Sequence, residues 1–469
     1  MTPTDSGLPV TRGDLMDFPR DPIDCMRRLQ QTHGEIAALD DGDQRVVFAF
    51  GPENNRFVQC DPRFHSRFFA IRGPKKSAQR RTTCGLLNMN GQTHRRQRRL
   101  AMGPFTKRSI PNYHPAVSEL IAELLESWEI GEVRDLHADM TAFMLRVTSA
   151  ILFGLTDREL AYETGHLIDE WAHMNHELGM GVLVSNPEIT ARYDELLQHA
   201  EKLEKNIRQM IENRRGETPG NDVLSLLIQA RDGDGGVTDD ELVGHVALIF
   251  GAAHLTTAHT LTWTLFLLGQ HPSVAREVAG EAKSASFEDV IPQPEEARQL
   301  KSLERALKES MRCLPASAYL QRMVADPVEL GPFQLHRGAA VIFSQYMTHH
   351  MERLYANADE FRPERWKTID PSPYEYLPFG SGPRMCIGAM LAMQTLMTTL
   401  PSILRRYRLA VLPQSEISGE VVSTMLGPST SVPVEICRAD GRYESVPVRG
   451  NIHDLVTLRE MPKPMRRAA

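Results

Sequence analysis

The chain has 469 residues, 41% of them hydrophobic and 24% charged, enough apolar material for one large core or for two or three ordinary domains. With 53 basic against 60 acidic residues the formal charge is −7 and the pI about 6.2, which excludes a generally basic surface for nucleic acid and leaves small molecules and soluble proteins as partners. The six cysteines (Cys25, Cys60, Cys84, Cys313, Cys386 and Cys437) form no CxxC pair and no regular spacing, which excludes a disulfide framework and a structural zinc site and implies a reducing compartment.

The opening MTPTDSGLPVTRGDLMDFPR is polar where a signal peptide or anchor would be continuously apolar. Residues 1–20 are therefore expected to form an arm on a cytoplasmic protein with no membrane anchor. RVVFAF (45–50) has strand character, and PAVSELIAELLESWE (115–129) and DELLQHAEKLEKNIRQMIENRR (194–215) carry helical periodicity. RRGETPGND and RDGDGGVTDDE are turn-rich connections within a domain. From Leu242 to Ala275 no Asp, Glu, Lys or Arg occurs, a length that would meet the roughly 20 apolar residues of a membrane span. His245, His254, His259 and His271 and several threonines suit a helix buried in protein better, so a long central helix is expected. SLERALKESMRCL (302–314) predicts another helix, and PVELGPFQL (327–335) and AAVIFSQY (339–346) predict strands joined as a hairpin. Residues 363–383 predict an ordered meandering loop, AMLAMQTLMTTLPSILRRY (389–407) a helix and TSVPVEIC (430–437) a strand. The class is mainly α with small β sheets, a single large domain over 21–437, and a tail, 438–469, packed on it.

Chemistry is written most plainly in FGSGPRMCIG, residues 379–388. A thiolate ligand needs backbone donors near sulfur, and Gly380, Gly382 and Gly388 would let the chain approach it and take positive φ. The helix that follows aims its N-terminal dipole at the same sulfur. Each of the other cysteines is expected to be a small core residue. Phe379, Gly382, Arg384, Cys386 and Gly388 match F-x-x-G-x-R-x-C-x-G, which resembles the haem-ligand loop of the cytochrome P-450 superfamily. The resemblance runs over about residues 20–437 and implies the P-450 fold, a haem b (iron protoporphyrin IX) cofactor and Cys386 as its axial metal ligand, with Arg384 on a haem propionate and Phe379 shielding the thiolate.

The family's other marks follow in order. KESMR supplies Glu309 and Arg312 on one helix face, and FRPERW supplies Arg365, together the family's structural triad. HRRQRR places His94 and Arg98 four apart, where the family grips haem propionates, and Arg322 matches a further propionate partner. AAHLTTAHT resembles the central-helix signature A-G-x-(E/D)-T-T: Ala252 and Ala253 are the small groove residues and Thr256, with Thr257 beside it, the catalytic hydroxyl. The acidic position holds Leu255, which cannot relay protons, so water held by Thr256 or Thr257, or a substrate group, would have to serve, while His254 and His259 are expected to be structural histidines before relays.

By the same resemblance the substrate side comprises Phe69 to Leu87, Trp171 to Val182, Phe250, Ala252, Ala253 and Leu255 on the central helix, Ala318 in ASAYL, and Met425 in TMLGP. The basic run of IRGPKKSAQRR is expected to be a solvated loop. Most of these positions are apolar, implying a hydrophobic small molecule such as a fatty acid or terpene. No flavin or iron–sulfur motif occurs, so electrons would come from a ferredoxin- or flavodoxin-type donor docking on a basic proximal face of Arg95, Arg96, Arg99, Lys107 and Arg405. The expected activity is a monooxygenase. Leu255 keeps a peroxide-driven or atypical oxidation open, and a non-catalytic haem sensor or carrier is the reading from a different class.

Overall fold

The computed structural model describes residues 8–67, 71–181, 187–218, 220–232, 235–285, 287 and 291–458. Helices α1 (Pro52–Cys60) and α2 (Gly91–Ala101) precede a helical layer of α3 (Leu136–Phe153), α4 (Arg158–Gly181) and α5 (Pro187–Gly216); α6 (Asp239–Gln270), α7 (Lys301–Cys313) and α8 (Ala389–Arg406) follow. The mainly α class with small sheets is as expected from the sequence.

Helix α6 is the spine of the molecule. Thr238 caps it in a capping box with Glu241, and Asp239, Asp240 and Glu241 place negative charge at the positive end of its dipole. It is apolar on nearly every side because α3, α4, α7 and α8 all pack on it. It is long and apolar enough to cross a membrane, but 72% of its most apolar window is buried within the protein. The expected charge-free helix stops at Gln270, and a new one starts at Pro272, a residue suited to a first turn and not to a helix interior.

The largest sheet contains β1 (Val10–Arg12), β2 (Ile36–Asp40), β3 (Arg45–Ala49), β4 (Phe64–His65), β5 (Leu320–Val324) and β6 (Ala340–Phe343) in the order β1-β2-β3-β6-β5-β4. Val47, Phe64, Val324, Val341 and Phe343 form its own small core. Two expectations are corrected. PVELGPFQL is a complete hairpin by itself, Val328–Leu330 with Phe333–Leu335, while β6 runs parallel to β3 and antiparallel to β5. Residues 10–12, expected in an arm, form the edge strand β1 parallel to β2. Strand Pro433–Arg438 pairs with Tyr407–Val411 and Val133–Asp135, and β7 (Gly419–Val422) forms a hairpin with β8 (Met425–Pro428).

One close approach ties the loop ahead of α2 to the spine. A Cβ on Gly244 of α6 would stand 2.7 Å from the Gly85 amide nitrogen and 2.8 Å from the Arg81 carbonyl oxygen, so only glycine lets these backbones touch. Next to it, fully buried His245 accepts the Leu86 N–H at Nδ1 (3.2 Å) and donates from Nε2 to Gln97 Oε1 (3.0 Å). Burial pushes this imidazole down to about 4, so it is neutral at physiological pH. Gly244→Ala is expected to destabilise the fold by about 1–3 kcal/mol in urea unfolding. Gly251→Ala, whose Cβ would meet nothing within 4 Å, is expected to be neutral or slightly stabilising.

Candidate functional site

The turn before α8 presents Cys386. Gly380 and Gly382 take φ of +66° and +65°, which a β-carbon disfavours, and fold the chain so that the Cys386 N–H donates to the Phe379 carbonyl at 2.8 Å. Gly388, expected at positive φ, instead lies at −87° as the N-cap of α8. The uncapped helix end leaves amides free, and those of Gly388 and Ala389 reach the Cys386 sulfur. Burial in the surrounding protein pushes the thiol pKa up, opposed by these two amides and by the charge of Arg98, while one face of the residue remains accessible.

Residues that had not been singled out brace this turn. Gln59 at the end of α1 accepts the Ser381 N–H at 2.9 Å, and His349 Nε2 accepts the Leu377 N–H at 3.0 Å. Gln59 and Ser381 are more than 300 positions apart, so no local sequence signal marks Gln59.

Cationic groups converge beside the cysteine turn from three separate segments. Arg98 of α2 donates to the Met385 carbonyl at 2.6 Å, and Arg384 donates to Asn90 Oδ1 at 2.5 Å and also to the Met89 carbonyl. Arg322 of β5 is buried over the Phe343 ring, 5.1 Å from its centroid, and donates to the Gln321 carbonyl at 2.9 Å. Among the described residues none of these arginines pairs with a carboxylate. Burial, then the charge of Arg384, pulls Arg322 down to about 10, and burial with Arg98 does the same to Arg384. Buried His94 is held at about 4 by desolvation and by Arg384, Arg98, Arg322 and Arg95, so it is a neutral donor here. A pocket of cations without anions is electrostatically incomplete by itself and fits a ligand with two carboxylates, as haem has. The thiol and the arginines together fit that group.

Helix α6 is uncovered along one short stretch. Ala252 is exposed and Gly251, Ala253, Leu255 and Thr256 are half-buried, in a helix otherwise sealed on most sides. The Thr256 hydroxyl donates to the Ala252 carbonyl (2.8 Å) with its oxygen accessible, whereas Thr257 is buried and donates to Ala253 (3.0 Å). His254 faces away, with Nδ1 at 3.3 Å from Asp169 Oδ1 and Nε2 at 3.3 Å from the Thr141 carbonyl. His259 is packed on Gly427 and hydrogen-bonded to the Leu426 backbone; burial, His137 and His254 lower it to about 3. Neither histidine takes the place of the missing acid at the uncovered stretch.

The residues expected on the substrate side divide. Met425 is half-buried, and the backbone of Ala318, a buried residue, donates to the Thr424 carbonyl at 2.8 Å, joining the two segments edge to edge. Phe250, expected at the pocket, is fully buried against Phe153 (6.1 Å between centroids) and under Gly165 of α4. It holds the back of α6. Trp171 is fully buried and donates to Gln79 Oε1 at 2.7 Å; Phe69 and Val182 lie outside the described residues. The basic loop is only partly solvated, since Arg81 pairs with Glu204 at 2.6 Å. On the other face Arg95, Arg99 and Lys107 are exposed, but Arg405 lies over Phe287 at 4.6 Å and leaves the expected patch smaller.

Glu309, fully buried, accepts from Arg312 (3.0 Å) and Arg365 (2.9 Å), the expected triad, and also from Trp366 Nε1 at 2.8 Å.

The family model for cytochrome P450 matches residues 10–430. The chain is 29% identical over 429 residues to cyclooctat-9-en-7-ol 5-monooxygenase of Streptomyces melanosporofaciens, covering 88% of this chain and 90% of that protein. It is 26% identical over 441 residues to pentalenene oxygenase of Streptomyces avermitilis, covering 90% and 94%. Among solved structures, the retinoic acid-bound cyanobacterial CYP120A1 superposes with a TM-score of 0.77 at 21% identity, covering 90% of this chain and 96% of that one, so the two share a fold. A match to the family model over nearly its whole length, on a chain with this fold, makes the protein a member of the cytochrome P450 family, a haem-dependent monooxygenase.

Proposed function

We propose that the protein inserts one oxygen atom from O₂ into a hydrophobic small molecule of the terpene class, in the cytoplasm, using electrons from a separate ferredoxin- or flavodoxin-type donor. The observation that carries the assignment of the site is the exposed Cys386, with two helix-end amides on its sulfur and, beside it, a cluster of arginines that have no carboxylate partner among the described residues. The terpene class is supported by two relatives whose names specify such oxidations. When bound, haem supplies the activation of dioxygen, and a cysteine thiolate ligand donates the electron density that favours O–O cleavage.

The chain's own residues do the rest. Cys386 is the ligand, and the Gly388 and Ala389 amides with Arg98 stabilise its charged form. Arg98, Arg322 and Arg384, with neutral His94, would hold the two propionates of the haem. Thr256 keeps its hydroxyl oxygen on the open side of α6 and serves as the hydrogen-bonding group there, with water bringing protons past Leu255. Thr257, expected beside it as a catalytic hydroxyl, has turned its hydroxyl into the helix toward the Ala253 carbonyl. Leu255 and Met425 contribute apolar surface, and the exposed Arg95, Arg99 and Lys107 attract an acidic donor.

The test is to titrate the ferric protein with cyclic terpenes, fatty acids, steroids and aromatic acids while following the haem absorption, then to identify products. A shift confined to terpenes with a mono-oxygenated product supports the reading, and a shift confined to another class overturns the substrate assignment. Leu255 favours a second reading, peroxide-driven or atypical oxidation. Leu255→Glu is expected to raise reductant-driven turnover and lower peroxide-driven turnover, by up to about a hundredfold, the lower end of what one general acid contributes. Unchanged rates with both oxidants would show that position 255 does not set the chemistry.

A further inference from the structure

The C-terminal stretch lies beyond residue 430, where the family match ends, and it was expected only to pack on the surface. It does something more specific. Residues 448–457 run as a strap beneath the β7–β8 hairpin. Asn451 clamps the base of β7 with both side-chain atoms: Oδ1 accepts the Gly419 N–H at 2.8 Å and Nδ2 donates to the Gly419 carbonyl at 2.9 Å. The Asn451 N–H reaches Ser418 Oγ at 3.2 Å, and the Ile417 N–H donates to the Arg449 carbonyl at 2.8 Å. A Cβ on Gly419 would stand 2.9 Å from Leu455 Cδ1, so the strap also fills the space under that residue.

The far end of the strap is fastened to rigid parts of the fold. The Thr457 N–H donates to the Asp359 carbonyl at 2.8 Å, and the Tyr346 hydroxyl donates to the Leu455 carbonyl at 2.9 Å. Asp359 is next to Glu360, whose carbonyl accepts from Arg312 in the buried triad at 3.0 Å. The hairpin is also seated along residues 316–319, where the Ala318 N–H and the Tyr319 hydroxyl donate to the Thr424 and Ser423 carbonyls of its turn. The Leu426 N–H donates to the Ala316 carbonyl at 3.1 Å, and Gly427 carries the His259 ring of α6. The strap is a separate seat, at the base of the hairpin and supplied by the C-terminal stretch.

We infer that the strap, through Asn451, is a positioning element that sets the β7–β8 hairpin, and with it Met425, against the substrate side of the cleft. The inference rests on the functional reading above, in which Met425 faces the substrate. Asn451 touches neither Cys386 nor the uncovered stretch of α6, so its effect is on the shape of the pocket and not on the haem site. A side-chain amide that holds both backbone groups of one residue fixes that residue's height and tilt, which a single hydrogen bond does not.

The experiment compares two iron-binding probes on the full-length haem protein, imidazole, which needs little room, and 4-phenylimidazole, which extends into the pocket. Asn451→Ala is expected to keep the reduced carbon-monoxide band and to bind imidazole within about twofold of the parent, while 4-phenylimidazole affinity changes by about fivefold or more. Leu455→Ala, which loosens the strap without touching the clamp, is expected to move the same ratio in the same direction, and it decides the matter if Asn451→Ala does not take up haem. A ratio unchanged in both variants, or both probes shifting together, overturns the inference. Failure of the parent protein to bind imidazole at all would instead overturn the haem-cleft reading, so the two failures are distinguishable.

Discussion

Replacing Cys386 by alanine is expected to abolish the carbon-monoxide band of thiolate ligation and to weaken haem retention by more than about a hundredfold. Loss of a residue that merely supports a metal ligand already costs up to about that factor, and here the ligand itself is removed. The amides of Gly388 and Ala389 and the Arg98 charge remain, but they then face no sulfur. Arg384→Ala provides the contrast. On the proposed reading it removes one donor to the propionates and leaves the thiol, so weaker haem binding with an unchanged band is expected. Cys386→Ala protein that retained the band would place the ligand elsewhere. Because a ligand that binds only the folded state stabilises it, the haem-free variant should also melt at a lower temperature.

The second large effect concerns stability. Glu309→Ala is expected to lower the unfolding free energy by about 3–5 kcal/mol, since it strands the Arg312 guanidinium in a site with no solvent exposure. Arg312 would keep its bonds to the carbonyls of His349 (2.7 Å), Ala358 (2.6 Å) and Glu360 (3.0 Å), which satisfy its donors without neutralising its charge. The Arg362 amide (2.9 Å) and the Trp366 indole (2.8 Å) would lose their acceptor as well. Glu309→Gln, which preserves some of these bonds, should lose less. Urea unfolding followed by circular dichroism reads both, and a loss below about 1 kcal/mol for the alanine variant would show that the site rehydrates.

Uptake of haem should follow the same order, because the segment around Ala358 and Glu360 also receives the C-terminal strap through Asp359 and Thr457. The triad, the strap and the β7–β8 hairpin thus lie on one connected run of contacts, from buried Glu309 to the hairpin that carries Met425. That run is assembled from residues far apart in sequence.

Much was legible from short-range pattern. The turn 379–388 announces itself because a thiol, an arginine and positively twisted glycines must occur within ten residues to do their work. The pairing of Glu309 with Arg312 follows from helical spacing, and the burial of α6 from an apolar surface with no charged side after Glu241. Each of these depends on neighbours a few positions away, which is the range over which backbone geometry dictates what touches what.

Tertiary contact alone decided the remainder. Arg98, Arg322 and Arg384 come together only because α2, β5 and the cysteine turn meet, and the lowering of Arg322 and Arg384, by burial first and then by a neighbouring arginine, has no counterpart in any one segment. Phe250 faces Phe153 and not the pocket because α3 and α4 claim that side of α6, a choice its own helix leaves open. β6 enters the sheet between β3 and β5, where its apolar residues are covered on both faces, although a hairpin with its nearest predecessor had looked simpler. Asn451 is one polar residue in an irregular tail until Gly419 lies against it. A side chain's chemistry is set by its type, but its charge state, direction and role are set by which distant surface it meets, and only the folded chain brings those surfaces together.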